Sequence, residues 1–336
     1  RSHLNEKLIK AKVSSAHIRR LKMGRKEVDV LVVGSCNVDF ITYTDRVPKI
    51  GETVEGVAFA IGNGGKGANQ AYQAALLDAS VAFVGRVGND HFGQAFIDTF
   101  ESVKVDTSHL KKTDTSTGSA QITVDRQSGD NSIIIVKGAN DMIVDSDVEV
   151  ARDAFKPKVV VCQNEIQLDT TVKALRAWKE DGAVVIFNPA PALPLPTSES
   201  SEHMLSAVDL LVPNESEAEV MAEMKVSSVD DAKQACDVLR KKGAKGVIMT
   251  MGGSGCYVST PEVEKHIPLT MDDVKVVDST GAGDSFCGAL SSFLARGEQL
   301  ENAVKKSMTV ASYSVQRKGT QTSYHTRAEL PSSLFD

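Results

Sequence analysis

A chain of 336 residues with 41% hydrophobic and 24% charged side chains is long enough to bury a full core, and that balance excludes disorder on the scale of the whole chain. The formal net charge of −6 speaks against nucleic acid as a partner, and no apolar run reaches the roughly 18 residues that would point to a membrane span. Five cysteines (Cys36, Cys162, Cys236, Cys256, Cys287) lie far apart with no C-x-x-C pair, which fits reduced thiols in a cytoplasmic setting better than a disulfide framework.

The chain opens on a basic segment, residues 1–27, with nine Lys or Arg against Glu6 and Glu27. It reads as a flexible extension, with an organellar targeting role left open; the lack of a long apolar core speaks against a secretory signal. From residue 28 short apolar runs alternate with amphipathic stretches. "VDVLVV" (28–33), "SVAFVG" (80–85), "KVVVCQ" (158–163), "AVVIFN" (183–188), "VDLLVP" (208–213) and "GVIMTM" (246–251) read as buried strands of a parallel sheet. Between them, 67–79, 170–182 and 229–243 read as helices, the last two closed by a glycine. This alternation predicts an α/β fold, a three-layer αβα Rossmann-like arrangement around a mostly parallel sheet, over residues 28–330 with a short tail at 331–336. Segments 41–62 and 116–136 break the rhythm with β-type alternation and turn residues, and predict a small separate sheet, a lid formed by about 41–62 and 116–139.

Ligands of open α/β sheets sit at the carboxyl ends of the strands, so the segments that follow each strand carry the chemistry. "GSCNVDF" after the first strand brings Asn37 and Asp39, which either hold hydroxyl groups or cap a turn. "GNGGKGANQA" (62–71) has glycines that let backbone approach a ligand ahead of a helix, with Lys66 and Asn69 suited to an oxygen-rich substrate. Gly62, Gly64 and Gly67 also satisfy G-x-G-x-x-G, which keeps a nicotinamide-dependent dehydrogenase as a rival; yet that fingerprint belongs after the first strand and needs an acid about 20 residues on. No P-loop pattern is present.

"PNESEAE" places Asn214 and Glu217 three apart on a first helical turn, where they also make a good helix cap. "TMGGSG" (250–255) supplies a second glycine loop able to approach a nucleotide. In "DSTGAGDSF" (278–286) a small-residue turn opens a helix at about Gly283, and the backbone N–H groups of Gly281, Ala282 and Gly283 form an anion hole. Asp284 beside that hole makes sense as acceptor of a proton from an attacking hydroxyl, and Asp278 as the holder of something positive nearby; the plainer reading of Asp284 is a helix cap.

The ordered set "GSCNVDF", "GGKGANQA", "NPAPA" (188–192), "PNESEAE", "TMGGSG", "DSTGAGDSF" and "RKGTQTS" (317–323) resembles the ribokinase, or PfkB-type carbohydrate kinase, family from about residue 28 to 327. The resemblance implies ATP-dependent phosphorylation of D-ribose at its primary hydroxyl by a homodimer. Asn37, Asp39, Gly65, Lys66 and Asn69 match sugar-binding positions, and Glu165 an acid near sugar and phosphates. Thr250, Gly252, Gly253 and Gly255 match the nucleotide loop. Asn214 and Glu217 match the motif that organises Mg2+ and phosphate, partly through water. Asp284 matches the catalytic base and Gly281 to Gly283 the anion hole. Asp278, Thr280, Ser314, Arg317, Gly319 and Ser323 match positions that hold a monovalent cation, K+ foremost, mainly through backbone oxygens. Met308 stands where an Asn often lines the adenine pocket. Another acceptor on the same fold (fructose, a keto-deoxy sugar acid, adenosine) and a non-enzymatic sugar sensor are the alternatives.

Overall fold

The first apolar run lies inside the main sheet. In the computed structural model, which describes residues 24–127, 131–195, 204–271 and 273–336, Lys26–Val33 forms strand β1, and Val30, Leu31, Val32 and Val33 have no exposed surface. Lys26 and Glu27, assigned to the basic segment from composition, are therefore the first residues of β1, while the reading of residues 1–23 lies outside the described residues.

The sheet runs from β5 (Asp106–Thr113) through β4 (Val81–Gly88), β1, β8 (Phe155–Cys162), β9 (Val184–Phe187), β10 (Leu210–Leu211) and β11 (Val247–Thr250) to β12 (Cys256–Ser259) and β13 (Glu264–Ile267). From β5 to β11 every neighbouring pair is parallel; β12 pairs antiparallel with both β11 and β13. Helices α1 (Lys66–Leu76), α2 (His91–Ser102), α7 (Ala282–Ala295) and α8 (Leu300–Ser314) cover one face, and α3 (Asp145–Ala154), α4 (Leu168–Glu180), α5 (Glu215–Ala222) and α6 (Val229–Lys241) the other.

The period of two along a strand divides β1 between these layers. Leu31 and Val33 enter the core around Trp178, Ala218 and Leu239, whereas Val30 and Val32 enter the core around Ala71, Phe96 and Phe293. Both faces are covered, so the run is continuously apolar rather than alternating. α4 and α6 stop where Gly182 (φ 84°) and Gly243 (φ 116°) take the left-handed backbone that terminates helices. Among the described residues, no helix is long and apolar enough to cross a membrane. Residues 331–336 dock on α7: Leu334 is buried, and the Phe335 and Phe293 rings lie 5.8 Å apart.

The small sheet has the order β3-β2-β6-β7, with β2 at Asn37–Thr44, β3 at Ala58–Gly64, β6 at Gly118–Asp125 and β7 at Asn131–Val136. β2 pairs antiparallel with β3 and parallel with β6, and β6 pairs antiparallel with β7. The two segments without helical pattern thus fold as one β unit, which begins earlier than residue 41. Asn37 and Asp39 stand on β2 itself, opposite Gly64 and Gly62, and not in a turn. Phe59, Ile61, Ile133, Ile134 and Ile135 of this sheet are exposed.

The start of α1 approaches the end of β1 so closely that only glycine fits at residue 67: a Cβ there would lie 2.7 Å from the Ser35 nitrogen and 2.8 Å from the Gly34 Cα. Backbone cannot yield as a side chain does, so Gly67→Ala is expected to cost about 1–3 kcal/mol in urea unfolding. Gly62→Ala, with open space at its Cβ position, is the control and should stay within about 0.5 kcal/mol of the parent. Equal stability of the two variants would contradict this account of the α1–β1 approach.

Candidate active site

The carboxyl ends of the parallel strands and the first turns of α1, α5 and α7 enclose a cleft of about 130 Å³, lined among others by Lys66, Asn188, Asn214, Glu217, Thr250 and Asp284. Helix first turns carry N–H groups with no intrahelical carbonyl and a partial positive charge, so three of them facing one cleft favour an anionic ligand. A larger cleft, about 960 Å³, lies beside the amino ends of β4 and β5. Two charged groups on its wall, Asp78 and Arg327, pair with each other at 3.4 Å, and none of the motif residues reaches it.

Asp284, buried on the first turn of α7, is gripped by two neighbouring amides of α1. Asn69 Nδ2 donates to Asp284 Oδ2 at 3.0 Å and Gln70 Nε2 to Asp284 Oδ1 at 2.9 Å. A carboxylate oxygen has two lone pairs, so each keeps one for a further donor. Lys66 begins the same helix. Burial works against its ammonium, but the charges of Asp284, Glu165 and Glu217 outweigh burial and raise its pKa, which keeps Lys66 cationic.

Glu165 follows β8 and accepts from Ser35 Oγ at 2.5 Å and from the Lys66 backbone N–H at 2.8 Å. Burial pushes its pKa up. Asp39 is pushed up to about 7, by burial first and then by the charges of Glu165 and Asp284, with Lys66 opposing. A Cβ on Gly64 would collide with the Asp39 carboxylate, and Gly65 (φ 86°) turns the chain from β3 into α1. Asn37 is buried and accepts from Asn140 Nδ2 at 2.8 Å.

On the other side of the cleft, Asn214 and Glu217 cap α5 reciprocally: the Asn214 N–H donates to Glu217 Oε2 at 2.9 Å and the Glu217 N–H to Asn214 Oδ1 at 2.8 Å. Burial raises the Glu217 pKa. Thr250 bridges to Asn214, which ties the end of β11 to that cap. Past it, Gly252 (φ 50°) and Gly255 (φ 93°) shape an open turn in which Gly253 has free space around it. Met308 is buried in the core between sheet and α8.

The turn before α7 contains Gly281 at φ 77°, with the Tyr324 hydroxyl donating to its carbonyl at 2.9 Å. Of the three expected anion-hole amides, that of Ala282 donates to the Ser279 carbonyl at 3.2 Å. Asp278 holds backbone rather than a side-chain cation: its two oxygens accept from Thr280 N and Gly319 N, each at 2.9 Å. It thereby joins the 278–281 turn to the 317–323 loop. Ser314 and Ser323 are buried next to these segments, each hydroxyl donating to a nearby carbonyl, while the Arg317 side chain pairs with Glu329.

Gly62 and Gly64 lie on β3, so the G-x-G-x-x-G match does not follow β1, and the dehydrogenase reading falls. Gln70, Gln163, Asn188, Asn140, Gln321 and Tyr324 were not identified as site residues from sequence. The available signal for Gln70 was a glutamine next to Asn69 in an alanine-rich helical run.

The pfkB family carbohydrate kinase model matches residues 28–327. A ribokinase of Mus musculus is 41% identical over 312 residues, 91% of this chain and 94% of that protein. A deoxyribokinase of Salmonella typhi is 41% identical over 299 residues, 88% of this chain and 95% of its own. In structure, an Arabidopsis thaliana ribokinase complexed with ribose and ATP superposes with a TM-score of 0.80 at 30% identity, covering 90% of this chain and 97% of that one.

The raised Asp39 pKa makes stability depend on pH. Between an unfolded value near 3.8 and a folded value of about 7 the folded state binds the extra proton, so this group's contribution becomes less favourable as pH rises through that window. Asp39→Asn should therefore unfold at higher urea than the parent at pH 8, by on the order of 2 kcal/mol, with the difference closing towards pH 4. A variant less stable than the parent at pH 8 would contradict the burden assigned to Asp39.

Proposed function

The chain belongs to the pfkB family of carbohydrate kinases, and on that premise we propose that it transfers the γ-phosphoryl group of ATP to the primary (O5) hydroxyl of D-ribose, giving D-ribose 5-phosphate and ADP. The observation that carries this reading is Asp284: a buried carboxylate held by Asn69 and Gln70, at the start of α7, between the Gly281–Gly283 turn and Lys66.

In this reading the free lone pair of Asp284 accepts the proton of the attacking sugar hydroxyl. The N–H groups of Gly281 and Gly283, with Lys66, face the charge that develops on the transferred group, while that of Ala282 is taken by the Ser279 carbonyl. Asn37, Asp39, Glu165 and Asn69 hold the sugar hydroxyls, and Thr250, Gly252, Gly253, Gly255 and Asn214 receive the nucleotide. The small sheet closes over the sugar and excludes water, a competing nucleophile.

Kinases of this family generally need magnesium, which when bound neutralises charge on the phosphate oxygens. The donor set fits that ion. Asn214 and Glu217 line the cleft, with one carboxylate between them, few enough donors to leave room for water and phosphate, as Mg2+ prefers. For K+, Asp278, Thr280, Ser314, Arg317, Gly319 and Ser323 offer mostly neutral oxygens; with the Asp278 carboxylate already accepting two amides, a singly charged ion suits the set better than a second divalent one.

The exposed apolar side chains of the small sheet, Phe59, Ile61 and Ile134 among them, support a homodimer built on that sheet, which sedimentation of the purified chain checks. The free, buried cysteines support a cytoplasmic setting. A second acceptor, 2-deoxyribose, is favoured by the equal identity to the Salmonella deoxyribokinase. Family membership sets aside the non-enzymatic sensor.

ADP release on D-ribose, 2-deoxyribose, fructose and adenosine, each with potassium and with sodium alone, tests the assignment: ribose with potassium should turn over fastest. Asp284→Asn should keep the fold and sugar binding and lose roughly 10²–10⁴ in kcat. Activity within about threefold of the parent would remove Asp284 from the role of base.

A further inference from the structure

We propose that Gln70 is a positioning residue for Asp284, held in one orientation by a buried amide network whose polarity is set by a single backbone carbonyl. The proposal rests on Asp284 being the base. The carbonyl is that of Val212, which can only accept; it takes a hydrogen bond from Asn188 Nδ2 at 2.8 Å. Asn188 must then present Oδ1 to its other neighbour, Gln70 Nε2, at 3.1 Å. Gln70 Nε2 also donates to Asp284 Oδ1, so both of its N–H groups are used, while Gln70 Oε1 accepts from Gln163 Nε2 at 2.7 Å.

Turning the Gln70 amide over would set oxygen against oxygen at both Asn188 and Asp284 and lose three hydrogen bonds inside the protein, where unmade ones are costly. Gln70 is fully buried and does not line the cleft, so it acts through Asp284 and not on substrate. The other carboxylate oxygen is fixed in the same manner: Asn69, which donates to Oδ2, accepts at its own Oδ1 from Gln321 Nε2 at 3.2 Å. With both oxygens held from consecutive residues of α1, the carboxylate plane has one setting. Release of either oxygen frees rotation about the Cβ–Cγ bond and swings the basic lone pair away from the attacking hydroxyl.

A double-mutant cycle tests this, run with whichever acceptor of the panel turns over fastest. Gln70→Met keeps the length of the side chain and removes the donor. In the parent it should lower kcat roughly tenfold or more, as displacement of a reacting group does, with KM for sugar and ATP unchanged within about twofold. In the Asp284→Asn background the same change should alter kcat by less than about threefold, because the group through which Gln70 acts is already gone. Equal losses in both backgrounds, or no loss in the parent, overturn the proposal. Should Gln70→Met fail to fold, Gln163→Met, one bond further out, is put through the same cycle and is expected to show the same background dependence with a smaller loss. Parent-like activity in Asp284→Asn itself would instead defeat the base assignment, and the positioning role with it.

Discussion

Four carboxylates, those of Asp39, Glu165, Glu217 and Asp284, converge on one buried ammonium, Lys66, and the rest of the site is arranged around that imbalance. Taking an ion out of water costs several kcal/mol, and one cation cannot offset four anions. The remainder is met by donors: Asn69 and Gln70 for Asp284, Ser35 and the Lys66 amide for Glu165, the Asn214 amide for Glu217. Asp39 has no such donor set among the described residues, and burial with the neighbouring charges pushes its pKa up to about 7. A site so rich in acids suits the proposed substrate, a triphosphate that arrives with magnesium.

Those donors are in place because of where the fold puts helix beginnings. Parallel strands deliver every following segment to one end of the sheet, and α1, α5 and α7 all start there. Close approach depends on glycine. At Gly67 it lets α1 lie against the end of β1, and at Gly64 it leaves room for the Asp39 carboxylate. Asp278 adds a second tie by bonding the amides of Thr280 and Gly319, which joins the turn before α7 to the loop after α8.

Much of this was legible in the sequence, and the parts that were not share a reason. Buried parallel strands are continuous apolar runs, and helices closed by Gly182 and Gly243 carry their stop signal locally, so both were readable. β5 was missed because "DTSHLKKT" is an edge strand whose outward side chains are polar. Asn37 and Asp39 read as a turn because β1 and β2 are separated by only three residues. Pairing of β2 with β3 and β6 is set by residues some 20 and 80 positions away. The motif residues around the cleft were recognised by type and spacing; apart from Asn69, the amides that hold them were not. Gln70, Asn188 and Gln163 are distant in sequence, and a pattern of apolar periodicity counts each as a polar interruption, although all three are buried.

The most direct test of the central claim is where the phosphate goes. Phosphorus and carbon NMR of the product formed from ATP, magnesium and carbon-13 D-ribose should show phosphorus coupling at C5 together with stoichiometric ADP. Phosphate on C1, or ADP and free phosphate with unmodified sugar, would contradict the account, because Asp284 would then not be acting as base toward the primary hydroxyl.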